Sequence, residues 1–244
     1  SSATDTQAAT QLMTTNHGIF REHHDQVLAS HHLPNGSPAL LARMRPAPHG
    51  RILLIDDQVP IPSWGSGYPR ARELLVNLHS QGAFITLYPT ASNNLDFAEA
   101  YATLPRNVEI AAAQGPAGIA SFLRSRRDYY DALIISRPHN MQILFDELAR
   151  EPDLLGRTRL IYDAEAICAQ RDALKASVLG KSEQPADMAA ELLLAKPAQT
   201  ILAVNRGEAE HFSQNGFQDV RVLGHCIKLP PTADPYTAPP NLPF

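Results

Sequence analysis

Residues 51–90 read RILLIDDQVPIPSWGSGYPRARELLVNLHSQGAFITLYPT. The stretch opens on an aliphatic run, RILLIDD (51–57), and passes through a long loop holding Gly65, Ser66 and Gly67. It then enters a leucine-rich segment of helical length, ARELLVNLHSQG (71–82), and closes on a second apolar run, AFITLYPT (83–90). Parallel neighbours in a sheet need a crossover of a dozen or more residues, usually a helix, and a strand–helix–strand pattern of this size supplies one.

Outward from this unit the alternation continues. Further strands are expected at VEIAA (108–112), ALIISR (132–137), RLIYDA (159–164), TILAVN (200–205) and VRVLGH (220–225). Between them lie DFAEAYATLP, GPAGIASFLRSRRDYYD, NMQILFDELAREPDLLG, AICAQRDALKASVLG, PADMAAELLLAKP and GEAEHFSQNG, several of them ending in Gly as helices do. The expected fold is α/β, a doubly wound and mostly parallel sheet of about seven strands with helices on both faces. It spans residues 49–229, and no internal repeat interrupts it.

The flanks differ in kind. Prolines gather between Pro34 and Pro62 and again in the tail PPTADPYTAPPNLPF, which reads as a proline-rich linker over 230–244. Residues 1–48 carry His17, His23, His24, His31 and His32 with few large apolar side chains, and are expected to form a helical arm and linker. No HExxH or CxxC accompanies these histidines, so no metal site is expected.

Composition narrows the function. The 244 residues are 44% hydrophobic and 19% charged with a net charge of -4, so no global positive field recruits nucleic acid. Two cysteines, Cys168 and Cys226, make no disulfide framework, and such sparing use fits a reducing, cytoplasmic setting. No apolar run approaches the roughly 18 residues of a membrane-spanning helix, which leaves peripheral membrane contact open. Residues 1–11 lack the basic region and apolar core of a signal peptide.

Ligands of open parallel sheets sit beyond the carboxyl ends of the strands. Five junctions lie there: DDQVPIPSWGSGYPR, SRPHNM, YDAEAICAQR, VNRGEAE and GHCIKLPP. The first holds Gly65-Ser66-Gly67 just before a helix that Pro69 can open, which is either a turn facing phosphate or a flexible loop. Neither GxGxxG nor GxxxxGK[ST] is present, and the second strand ends Tyr88-Pro89-Thr90 without an acid for a ribose hydroxyl, so a nicotinamide site is not expected.

His139, Asp163 and Glu165 are the polar groups best placed for chemistry. Packing of His139 in its loop, and helix capping by the two acids, are the alternative uses. Arg137 and Arg171 pair either with an anionic substrate or with those acids. The paired acids Asp56 and Asp57 also resemble the opening of a response-regulator receiver domain. That domain needs an Asp after its third strand and a Lys near its fifth, and neither VEIAAAQGP nor RLIYDAEA provides one. No GxSxG marks a nucleophile.

In the order of its segments the chain resembles the amino-terminal domain of GT-B glycosyltransferases of the group 1 (family four) kind. The likeness covers about residues 50–235. RILLIDDQVPIPSWGSGYPRARELLVNLHSQGAFITLYP resembles that domain's opening, and LIYDAEAICAQRDAL its fifth-strand segment. TILAVNRGEAEHFSQNGFQDVRVLGHCIKLPP resembles its closing run, where a Ser-x-x-Glu-like turn leads into a helix. Asn205 stands where that turn often has Ser, ahead of Glu208, and residues 226–229 lack a common Asn-Gly pair. Glu183 and Glu191 share the spacing of the family's paired glutamates, but chance alone gives roughly 0.5 such pairs in a chain of this composition and the Gly-rich context is missing; they read as a solvated helical segment.

The resemblance implies transfer of a sugar from a nucleotide diphosphate sugar to a glycan or other acceptor between two domains, with no tightly bound cofactor. The second domain of the same protein, which would hold most of the donor, would follow residue 244, and the chain alone would be inactive. Gly65, Ser66, Gly67 and Arg70 would approach the donor phosphates or sugar, and His139 would orient a sugar hydroxyl. Asp163 and Glu165 would bind acceptor hydroxyls, with Arg137, Arg171 and Glu208 also on the acceptor side. A stand-alone carbohydrate- or nucleotide-binding module is the alternative, and a plain interaction scaffold a third.

Overall fold

The computed structural model describes residues 2–29, 49–65, 67–91, 95–112, 114–167, 178 and 188–225. The chain divides into two compact units, Ser1–Pro46 and Ala47–Phe244. The first holds one long helix, α1 (Ser2–Leu28), with non-helical dihedrals at His24. Its exposed face carries Leu12, Met13, Ile19, Phe20 and Val27.

The second unit is a seven-stranded, all-parallel sheet in the order β3-β2-β1-β4-β5-β6-β7. Its strands are β1 (Arg51–Asp56), β2 (Phe84–Pro89), β3 (Glu109–Ile110), β4 (Ala132–Ser136), β5 (Arg159–Asp163), β6 (Thr200–Ala203) and β7 (Val220–Val222). The connecting helices are α2 (Tyr68–Ser80), α3 (Phe97–Thr103), α4 (Ile119–Ser125), α5 (Pro138–Arg150), α6 (Met188–Ala195) and α7 (Arg206–Gln214). All seven strands fall where the apolar runs put them, ending one to three residues earlier because the last residues of each run turn into the loop.

The central strands are apolar on both faces, as a sheet covered twice requires. Leu54 of β1 is level with Leu87 of β2 and Ile134 of β4, and the three share one core with Ile85, Leu75 of α2, and Ala100 and Leu104 around α3. Leu53, Ile55, Leu133 and Ile135 alternate with that set, so they point to the other face, and all four are completely buried. Tyr88 reaches Phe122 of α4 edge-on at 4.9 Å.

The strand order sets the position of the site. From β1 the chain winds outward through β2 and β3, then returns to lay β4 on the other side of β1. The loops after β1 and β4 therefore diverge to opposite faces and open a crevice between them, the switch point at which ligands of such sheets bind.

Candidate functional site

Three adjacent strands end at one level. Ile55 pairs with Ile135 and Ser136 with Asp163, so Asp56, Ser136 and Asp163 form a row of polar side chains beneath the crevice. Asp56 and Asp163 are each only 1% exposed, and burying a carboxylate there requires a partner.

Asp163 is met by Arg70 in the first turn of α2. Arg70 donates Nη1 to Oδ2 at 2.6 Å and Nη2 to Oδ1 at 2.8 Å, while its Nε donates to the Leu223 carbonyl at 3.0 Å. This two-pronged pair, with both side chains almost wholly buried, ties α2, β5 and the chain after β7 together. Ser136 Oγ donates to Asp163 at 3.5 Å and the Glu165 N–H at 3.3 Å, so both Asp163 oxygens are engaged within the protein.

Asp56 is met by Arg137, the residue before α5. Arg137 Nε lies 2.8 Å from Asp56 Oδ1 and 3.3 Å from Asp57 Oδ2, and Nη1 lies 3.2 Å from Glu165 Oε2. Its guanidinium also sits 5.3 Å over the Tyr68 ring. Burial pushes the Asp56 carboxyl up to about 6, outweighing the pull of Arg137. Burial opposes the Arg137 charge as well, but Asp56, Glu165 and Asp57 together hold that guanidinium above its usual range.

The backbone is strained at the same place. Arg137 (φ 77) and Glu165 (φ 58), partners in this ion pair, are two of the three non-glycine residues with positive φ among the described residues. Such conformations cost roughly 1–3 kcal/mol and persist where surrounding contacts over-determine them, commonly at functional sites. Gly67 sits against the same contact: a Cβ there would require the Glu165 carboxylate to shift and would lie 3.3 Å from Arg137 Nη2. Gly65 has no such constraint, since a Cβ would make ordinary contact with the Tyr68 ring at 3.5 Å.

The rim of the crevice holds His139 in the first turn of α5, its side chain 60% exposed. Its Nε2 is 2.5 Å from Asp57 Oδ1. The same oxygen accepts from Asn140 Nδ2 at 2.8 Å, and Asn140 also donates to the Ser136 carbonyl at 3.0 Å. Asn140 is completely buried, and its own Oδ1 accepts from Thr90 Oγ1 at 2.9 Å. A chain Thr90–Asn140–Asp57–His139 thus runs from the end of β2 across β1 to the rim. With Nε2 facing the carboxylate, the neutral imidazole carries its proton there and leaves Nδ1 as the acceptor; among the described residues nothing bonds to Nδ1.

The structure brings Gly67, Arg70, Arg137, His139, Asp163 and Glu165 to this one place. Arg137 pairs with acids of its own chain. Glu208 stands at the start of α7 and is engaged there: its N–H donates to Asn205 Oδ1 at 2.9 Å, the cap of the helix, and its carboxylate accepts from Val204 N at 3.4 Å. Ser66, Arg171 and Glu183 lie outside the described residues. Glu191 is buried in α6 at 7% exposure rather than solvated. Asn140, Thr90 and Tyr68 are the residues that sequence reasoning passed over, and Asp56 and Asp57 entered it only through the likeness to a receiver domain. The signal for Asp57 was present in the acid pair that ends β1, which is read differently once β4 is known to lie beside β1.

Apart from the closed Arg70–Asp163 pair, the described residues of the crevice set the carboxylates of Asp56, Asp57 and Glu165 against the guanidinium of Arg137. Excess negative charge suits hydroxyl or amine donors better than polyphosphate. Among the described residues no group of three His, Cys, Asp or Glu side chains is disposed to hold a metal ion. No helix among them is long and apolar enough to cross a membrane.

No family model and no curated protein matches the chain. Solved structures similar to it include sucrose-phosphate synthase from Thermosynechococcus elongatus, at 13% identity and a TM-score of 0.45 over 71% of this chain. The aligned part is 47% of that synthase, so the chain spans about half its length. A short-chain dehydrogenase/reductase from Veillonella parvula matches at 14% identity and a TM-score of 0.36, over 63% of this chain and 67% of that one. Neither likeness carries an argument about chemistry, and the Rossmann-like fold rests on the strand order and register above.

Proposed function

We propose that this α/β unit is the acceptor-side domain of a GT-B glycosyltransferase, which moves a sugar from a nucleotide diphosphate sugar to a hydroxyl of a glycan or other acceptor. The observation that carries the reading is the Thr90–Asn140–Asp57–His139 chain at the switch-point crevice. A histidine oriented by a carboxylate, itself oriented by a buried amide, is the arrangement that positions a general base.

In this reading an acceptor hydroxyl donates to His139 Nδ1. As the hydroxyl oxygen attacks the anomeric carbon, its proton passes to the imidazole, and the nucleoside diphosphate departs with the electrons of the broken bond. Asp57 stabilises the imidazolium that forms. Glu165 accepts a second acceptor hydroxyl, and the Gly65 to Gly67 turn faces the donor, held mainly by a second domain of the same protein. Arg137 fixes Asp57 and Glu165, while Arg70 and Asp163 hold the strand ends on which they stand. A soluble, cytoplasmic setting fits nucleotide-sugar chemistry.

The test is transfer from a panel of nucleotide diphosphate sugars by the product of the natural open reading frame, read as release of nucleoside diphosphate. His139→Ala is expected to lower kcat by about 10²–10⁴-fold, the usual worth of a positioned base, with little change in donor KM. Wild-type kcat in that variant, or no transfer from any donor by the intact protein, would overturn the proposal.

A further inference from the structure

Among the described residues of the unit Ala47–Phe244, two Trp or Phe side chains are well exposed, Trp64 at 44% and Phe97 at 49%. Both stand on segments that leave carboxyl ends of strands, Trp64 after β1 and Phe97 after β2. Phe97 is engaged within its own helix, stacked on Tyr101 with centroids 6.3 Å apart and planes 21° from parallel. No ring or cation among the described residues engages the Trp64 indole.

The loop that carries Trp64 is fixed rather than free. Val59 and Ile61 are buried in the core beside Leu75 and Ala100. The Trp64 N–H then donates to the Ile61 carbonyl at 3.0 Å, closing the short turn Pro62–Trp64. The next residue, Gly65, backs onto the Tyr68 ring, and that ring carries the guanidinium of Arg137, which holds Asp57 and Glu165. An exposed indole is thus anchored one residue from the wall of the acidic crevice.

An exposed aromatic plate on a loop that leads into a wall of hydrogen-bond acceptors matches one ligand chemistry in particular. A pyranose ring presents an apolar C–H face, which packs on an indole, and a rim of hydroxyls, which donate to carboxylates. A nucleotide would also stack, but among the described residues its phosphates would meet three carboxylates, Asp56, Asp57 and Glu165, around the guanidinium of Arg137.

We infer that Trp64 is the stacking platform of a carbohydrate subsite at the rim of the crevice, which takes neutral pyranosides whose hydroxyls face Asp57 and Glu165. The inference rests on the reading of the crevice as the acceptor side.

Trp64 is the only tryptophan in the chain, so its fluorescence reports on the subsite without a label. The full chain is titrated with maltose, cellobiose, lactose and N-acetylglucosamine, with UDP as a separate arm, and the variants are measured by calorimetry. At least one sugar is expected to change the emission saturably. Trp64→Ala should then weaken that sugar about tenfold, Trp64→Phe should retain most of the affinity, and Phe97→Ala should match wild type. Unchanged affinity in Trp64→Ala, alongside loss in Asp57→Asn, overturns the subsite and leaves the acceptor reading standing. Tighter saturation by UDP than by any sugar replaces the pyranoside with a nucleotide, and no saturable response to any sugar overturns both readings.

Discussion

Replacing Asp56 by asparagine removes a carboxyl that the fold holds near 6 against an ordinary 3.8. Between those values the folded chain binds a proton that the unfolded chain has released. Asp56 therefore contributes most to stability below its unfolded value, and that contribution is lost as pH rises through about 6. A shift of about two pH units, at roughly 1.36 kcal/mol each, amounts to about 3 kcal/mol. Asparagine keeps the size of the side chain and does not titrate. The stability of wild type minus that of Asp56→Asn should fall by about 3 kcal/mol from about pH 4 to about pH 7.5, read by urea unfolding across the range. Groups elsewhere titrate in both proteins and cancel in the difference. A difference that stays flat, or that rises with pH, would refute the reasoning, because it would mean that Arg137 outweighs burial at this site.

Further outcomes follow from the same contacts. Arg70→Met leaves Asp163 buried and unpaired, so it should cost about 3–5 kcal/mol in chemical unfolding, and most of that should return in Arg70→Met/Asp163→Asn. Gly67→Ala drives a Cβ into the Glu165 carboxylate, and a double-mutant cycle with Glu165→Ala should show a coupling of at least about 0.5 kcal/mol, since removing one group relieves the other. Asn205→Ala removes the cap of α7 and should lower stability by about 1 kcal/mol without altering ligand binding in the crevice.

The fold was legible because the apolar runs are the strands, buried at the centre of the sheet, and the described amphipathic intervals are its helices; the interval 166–180 lies largely outside the described residues. Strand ends were the weak point: Arg137, Ala164 and the residues from Val204 onward continue an apolar or β-prone run in sequence, yet the chain turns there. The site was legible in part. His139, Asp163 and Glu165 stand at carboxyl ends of strands four and five, and the topology gathers them.

Their partners were not legible, because pairing depends on which strands are neighbours. Arg70 is 93 residues from Asp163 in the chain and reaches it only because the first turn of α2 stands beyond the carboxyl end of β5. Asp57 finds His139 across a gap of 82 residues, and only because β4 returns to the side of β1. Burial of Asn140, which fixes Asp57, has no marker in the local sequence at all.

The most direct test of the account is a map of amide shifts in the full chain as a neutral disaccharide such as maltose is added. Shifts are expected at Asp57, Trp64, Gly67, Tyr68, Arg137, His139, Asn140 and Glu165, around the crevice. Residues at the opposite edge of the sheet, Arg51, Asp131 and Arg159, should stay where they are. Shifts confined to that opposite edge, or none at any concentration, would contradict a carbohydrate site between β1 and β4.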